Sequence, residues 1–132
     1  MEQLYFAVSW ALVGLIWVIQ LVKYPAFHFV DVSRFVEYHQ HHTRSITIIV
    51  APLMMAELAL TGWLLWQSGW SAKYLISAAV VGAIWLSTMT LQIPQHQVLD
   101  KKKNEKAIDK LIKTNWIRTI LWTLKGIWLL GI

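Results

Sequence analysis

Residues 4–22, LYFAVSWALVGLIWVIQLV, decide how the rest of the chain is read. The run holds no charged side chain and approaches the ~20 apolar residues that carry a helix across ~30 Å of hydrocarbon. Its apolar residues do not alternate with period two, and a lone open strand could not satisfy its backbone in lipid. A helix is therefore expected. Residues 45–67, 74–93 and 116–132 have the same character, although the last run is the shortest and carries Arg118 and Lys125. The expected fold class is all-α: an integral membrane four-helix bundle, one domain over residues 1–132, with amphipathic helices in its cytoplasmic loops.

Composition points the same way. Of 132 residues, 57% are hydrophobic and 14% charged, and the mean hydropathy is +0.48. Soluble domains carry roughly a quarter charged residues, so charge here is too sparse for a surface facing water. The net charge of +5 sits in loops beside apolar runs, as a membrane protein distributes it, which argues against nucleic acid as a partner. Without cysteine, thiolate nucleophiles, disulfides and Cys-ligated metals are excluded. Phosphate-binding glycine loops, nucleophile elbows and H-E-x-x-H metal helices are absent too. Met54-Met55 lacks a ligand spacing and reads as packing, so no metal is expected.

Topology follows from the basic residues. Lys23, Arg34 and Arg44 lie between the first two runs, and Lys101, Lys102, Lys103, Lys106, Lys110 and Lys113 between the last two. The opposite side has only Lys73. Positive charge is retained in the cytoplasm, so a cell inner membrane with both termini outside is expected. The first run begins with Glu2 and is followed by no small-residue cleavage site, so it reads as a retained helix. Residues 26–44 and 104–114 have amphipathic helical periodicity and are expected to lie on anionic head groups. No internal repeat is evident.

The chemically informative residues gather where these runs meet the cytoplasm. Gln20 and Tyr24 close the first run, and Thr88, Gln92 and His96 follow one another at intervals of four. Asn115, Arg118, Trp122 and Lys125 share one helical face. His28, His39 and His42 lie on the apolar stripe of residues 26–44, whereas His41 lies on the charged stripe beside Glu37 and reads as structural. Polar groups in lipid turn inward and meet, which predicts a pocket rich in histidine with Arg118 as its fixed charge. Each histidine could equally be solvated, and Arg118 could snorkel to phosphates. Deeper in the bilayer, Glu57 and Lys125 fall near the midplane at ~1.5 Å per residue, and are expected to form a buried ion pair. That pair reads either as a register-fixing contact or as a proton-relay site.

Tyr24-Pro25-Ala26-Phe27, Tyr38-His39, His42-Thr43-Arg44, Pro52, Glu57, Pro94-Gln95-His96 and Asn115-Trp116-Ile117-Arg118-Thr119 with Trp122 resemble, in order, small four-span bacterial membrane proteins of uncharacterised function. Those proteins are more distantly similar to the anthrone-oxygenase-like membrane family. The resemblance implies a four-helix bundle, and in some members oxidation of polycyclic phenols without an evident metal or flavin. By position, His96, Asn115, Trp116 and Arg118 match the shared polar segments. The third run here exits as Pro-Gln-His, where the anthrone-oxygenase relatives are expected to read Pro-x-Asn.

Three functions remain open at this point. One is a small membrane oxidoreductase or cofactor-binding bundle. In it His96, Arg118 and Asn115 carry the chemistry, and His28, His39, His42 and Gln92 hold a cofactor such as haem or quinone, with a small aromatic or acidic substrate. The second is a transporter or proton-conducting protein built on Glu57 and Lys125, which would need a homo-oligomer to enclose enough volume. The third is a structural or accessory membrane subunit.

Overall fold

The computed structural model describes residues 1–131; Ile132, at the end of the fourth expected span, lies outside the described residues. Four helices run up and down in sequence: α1 (Glu2–Phe29), α2 (Val32–Gln67), α3 (Ala72–Leu99) and α4 (Glu105–Leu129). The chain is an all-α bundle, and α1, α2 and α3 are long and apolar enough to cross a membrane.

Polarity is distributed inside out. Ile48, Leu86, Met89 and Leu124 are exposed, while Glu57, Asn115, Arg118 and Lys125 are buried. Water would reverse that arrangement, whereas hydrocarbon solvates the apolar exterior and drives the polar groups together. The same distribution explains why α4 does not qualify as a span by composition. Its outward face carries Ile117, Ile120, Leu124 and Ile127, but its inward face is polar, and an average over both hides the apolar stripe.

The expected amphipathic loop segments are helical, but they do not lie flat beside the spans. From Val32 the backbone runs without a break into the rest of α2, and from Glu105 into the rest of α4. At ~1.5 Å per residue the 36 residues of α2 reach well beyond ~30 Å of hydrocarbon. The two apolar stripes then find each other instead of lipid. Phe27, Phe35, Leu99, Ile108 and Leu111 form one buried cluster, continuous with the core between the spans.

Helices α1 and α3 each widen once to the π form, at Ile19–Lys23 and at Thr88–Gln92, and α1 ends in a tighter 3-10 turn at Phe27–Phe29. Pro25 and Pro94 explain both π turns. A proline offers no N–H and crowds the carbonyl four residues earlier, here Leu21 and Thr90, and a wider turn relieves the crowding. Just before these turns stand Val13-Gly14-Leu15-Ile16-Trp17 and Val81-Gly82-Ala83-Ile84-Trp85, one short repeat that corrects the expectation of none.

Two glycines carry specific duties. Gly69 turns the chain between α2 and α3 with φ 65°, a conformation that suits a residue without Cβ. A Cβ on Gly126 would stand 3.2 Å from the Trp10 ring, so the α1–α4 approach depends on its absence. At the start of α4, Asn104 caps the helix by accepting the Ala107 N–H at 3.1 Å.

Candidate functional site

The widened turns aim side chains from α1 and α3 into the bundle, where they join residues from the inner halves of α2 and α4. Asp100 Oδ1 lies 2.9 Å from His39 Nδ1, and His39 Nε2 lies 2.9 Å from His96 Nδ1. His96 Nε2 lies 3.1 Å from the Tyr24 hydroxyl, which in turn accepts from Arg118 Nη2 at 3.2 Å. One arrangement of hydrogens satisfies the whole series when Asp100 is ionised. Arg118 donates to Tyr24, Tyr24 to His96, His96 to His39, and His39 to Asp100. His39 is fully buried, while the Asp100 side chain is 45% exposed, so the chain connects the interior with the surface.

Arg118 is held from several sides. Asn115 Oδ1 accepts from its Nε at 2.9 Å and its Nη2 at 2.8 Å, and Thr88 Oγ1 accepts from Nη1 at 3.2 Å. Asn115 is oriented by donating to Gln20 Oε1 at 2.9 Å, an oxygen that also accepts from Thr119 at 2.9 Å. No carboxylate pairs with Arg118 among the described residues, so the guanidinium is a buried cation held only by neutral dipoles.

A cavity of about 390 Å³ lies beside this chain, between α2 and α3. The two backbones pack closely along Ala72–Ser87 and separate beyond it. Its polar wall includes Tyr24, Thr88, Gln92, His96 and Arg118, and its opposite wall includes Ile46, Val50 and Met54. Met55 and Met89 also line it and are exposed, so its mouth faces the apolar surroundings of the bundle. The volume falls within the ~300–1,000 Å³ of small-molecule sites.

A second buried cluster sits deeper in the bundle. Lys125 Nζ lies 3.0 Å from Glu57 Oε2 and 2.7 Å from Ser9 Oγ, and stands over the Tyr5 ring at 4.5 Å. The Trp122 indole N–H donates to Glu57 Oε1 at 3.0 Å.

The remaining histidines part company. His42 is buried and packs edge-on against Tyr24 and Phe27. His28 does not reach the cavity. It lies between Glu105 and Asp109 at the start of α4, with its Nε2 2.9 Å from Asp109 Oδ1. Lys103 closes this strap by donating to the His28 and Val30 carbonyls at 3.0 and 2.8 Å. The His28 hydrogen bond holds the Glu105 carboxyl below the usual carboxylate range, and Lys103 adds to the effect. The strap captures His28 because two carboxylates one turn apart on α4 attract it more than an apolar wall does.

A haem held between His39 or His42 and His96 does not fit this geometry, in which both His96 ring nitrogens are engaged, Nδ1 by His39 and Nε2 by the Tyr24 hydroxyl. His39 and His96 bond to each other at 2.9 Å, whereas two nitrogens on opposite sides of one iron would stand about 4 Å apart. No group of three or more His, Cys, Asp or Glu suited to a metal ion occurs among the described residues. Asp100, Trp85, which also lines the cavity, and the place of Tyr24 between Arg118 and His96 were missed by sequence reasoning. Asp100 precedes a lysine run and reads as surface, and only the fold of α3 against α2 puts it beside His39. No known family model, curated protein or solved structure matches this chain.

Proposed function

We propose that this protein is a small membrane oxidoreductase of the cell inner membrane, acting on an acidic or aromatic amphiphile that enters the cavity from the bilayer. Its distinctive step is abstraction of a proton from an acidic hydroxyl, the deprotonation that readies such a substrate to give up electrons to a separate acceptor such as a membrane quinone. The observation that carries this reading is the unbroken hydrogen-bonded series from Arg118 through Tyr24, His96 and His39 to Asp100.

The proton moves in four balanced hops. Tyr24 passes its hydroxyl proton to His96 Nε2 and takes the substrate's proton on its own oxygen. His96 Nδ1–H passes to His39 Nε2, and His39 Nδ1–H passes to Asp100, which exchanges with water. The substrate is left as an anion beside Arg118. Asn115 positions the guanidinium, and Gln20 positions Asn115. In this reading the basic side of the bundle faces the cytoplasm, both termini face outward, and Asp100 discharges its proton to the cytoplasm. The resemblance to the anthrone-oxygenase-like family supports oxidation as the reaction class.

Conduction of protons across the whole bundle is less well supported. Glu57 and Lys125 lie beyond Trp122, whose indole nitrogen is a donor only and cannot accept a proton from the Arg118 side. An accessory subunit would not need an internal series that reaches the surface through the half-buried His96 and the buried His39.

The test is purification in mild detergent, followed by absorption spectroscopy and mass spectrometry of the extracted small molecules. An aromatic or acidic amphiphile should co-purify, and its turnover should release protons at a rate that His39→Phe reduces. An empty cavity, together with proton flux through liposomes that Glu57→Gln abolishes, would overturn the reading in favour of transport.

A further inference from the structure

Hydrogen-bond capacity in the cavity is unbalanced, and the imbalance has a chemical sign. Gln92 Nε2 is buried without a partner, while Gln92 Oε1 accepts from Ser87 at 3.0 Å. Trp85 Nε1 is likewise buried without a partner. Arg118 has five N–H bonds, of which Asn115 takes two, Thr88 one and Tyr24 one, leaving one on Nη1. All three residues line the same cavity. A buried donor left unpaired costs about 1–3 kcal/mol, and a buried cation without a counter-charge costs more. Such a set is stable when something supplies the missing acceptors.

We infer that the cavity binds the ionised oxygen head of a singly charged amphiphile, with Arg118, Gln92 and Trp85 as its donors and the apolar wall around its tail. This rests on the proposed function, because it names the charge state in which the relay leaves the molecule beside Arg118. The head must supply acceptors, since the unpartnered groups of these three side chains are N–H donors, while Asp100, the carboxylate on the lining, is engaged by His39. A single free guanidinium hydrogen suits a monoanion better than a phosphate, which would demand several charged donors. Carboxylate lipids and acidic phenols share this chemistry. Neutral alcohols lack the charge, and amines carry the opposite one.

Binding of dodecanoate and of a matched alkyl nitrophenol to the protein in nanodiscs distinguishes the two sources. Dodecanoate should bind at least tenfold more tightly than dodecanol, and dodecylamine should not compete. The nitrophenol should bind as its coloured anion, with its ionisation shifted to lower pH by on the order of one unit. Binding of one acid but not the other identifies the source, and either result supports the inference. Trp85→Phe removes a donor that bonds nothing in the folded protein and keeps an aromatic ring where Trp85 packs against the core, so its fold is checked by thermal unfolding alongside binding. It should weaken acid binding roughly tenfold and leave dodecanol unchanged. Arg118→Gln should abolish the preference for acids.

Equal affinity for dodecanoate and dodecanol, or a nitrophenol that binds in its neutral form, would overturn the inference. If His39→Phe still slowed proton release in that case, the proposed function would stand without it. If none of the probes bound, both would fall.

Discussion

Trp122 lies between two buried charges: its indole nitrogen donates to Glu57 at 3.0 Å, while Arg118 stands 5.8 Å from the centre of its ring. The side chain therefore links the buried ion pair to the hydrogen-bonded series mechanically, while its donor-only nitrogen passes no proton between them. Placing a titratable ring there should remove the interruption. Trp122→His is expected to let protons leak through protein reconstituted in liposomes, whereas Trp122→Phe is not. A pH-sensitive dye in the lumen reads both, and a leak in the phenylalanine variant would count against the barrier.

The pair itself is a matter of stability. Lys125→Leu strands the Glu57 carboxylate in a site where neither side chain reaches solvent, at an expected cost of about 3–5 kcal/mol. Adding Glu57→Leu should recover much of that loss, because two apolar side chains need no partner. Thermal unfolding in detergent of the two single variants and the double variant measures the coupling. Additive losses would show that the 3.0 Å contact contributes nothing.

His96→Ala cuts the relay between Tyr24 and His39. Proton release from bound substrate should slow by about 10²–10⁴-fold, the usual worth of a positioned acid–base group. Substrate affinity should change far less, since His96 is not among the unspent donors. A variant that lost binding while keeping its rate per bound molecule would place His96 in recognition instead.

The strap at the start of α4 should respond to acid. Glu105 is held below its ordinary range, so its contribution is fully present above the unfolded value of 4.5 and disappears as pH falls through the lower folded value. The charged groups facing it are His28, Lys103 and Asp109. Hydrogen exchange at residues 101–106 should accelerate as pH falls through that folded value, after correction for the intrinsic rate. In His28→Gln, which removes the chief hydrogen bond, the acceleration should begin at higher pH.

Much of this architecture is legible in the sequence, and the reasons for the rest are physical. Apolar run length and basic-residue placement suffice to mark helices, because lipid imposes one simple rule along the whole chain. Glu57 and Lys125 can be matched by depth alone, and they stand 3.0 Å apart. Helical periodicity likewise puts Asn115, Arg118, Trp122 and Lys125 on a single face, and all four are buried. Periodicity fails where the helix itself changes. The π turns rotate everything that follows them, so the faces of Tyr24 and His96 cannot be drawn from a regular wheel. His28 is misplaced for another reason. Its apolar stripe is real, but Glu105 and Asp109 approach it only once α4 has packed, a contact between residues about 80 positions apart. Asp100 hides in the same way.

The inside-out polarity of α4 has a consequence for how the protein is made. A segment bearing Arg118 and Lys125 is a poor candidate to leave the insertion machinery on its own, since a cation at the centre of a span costs about 2.5–3.5 kcal/mol in lipid. Glu57 on α2 is synthesised earlier and is already in place when Lys125 emerges. Insertion of α4 into a bilayer would therefore call for the last helix to be threaded against its siblings, with the carboxylate serving as a mooring for an otherwise reluctant passenger.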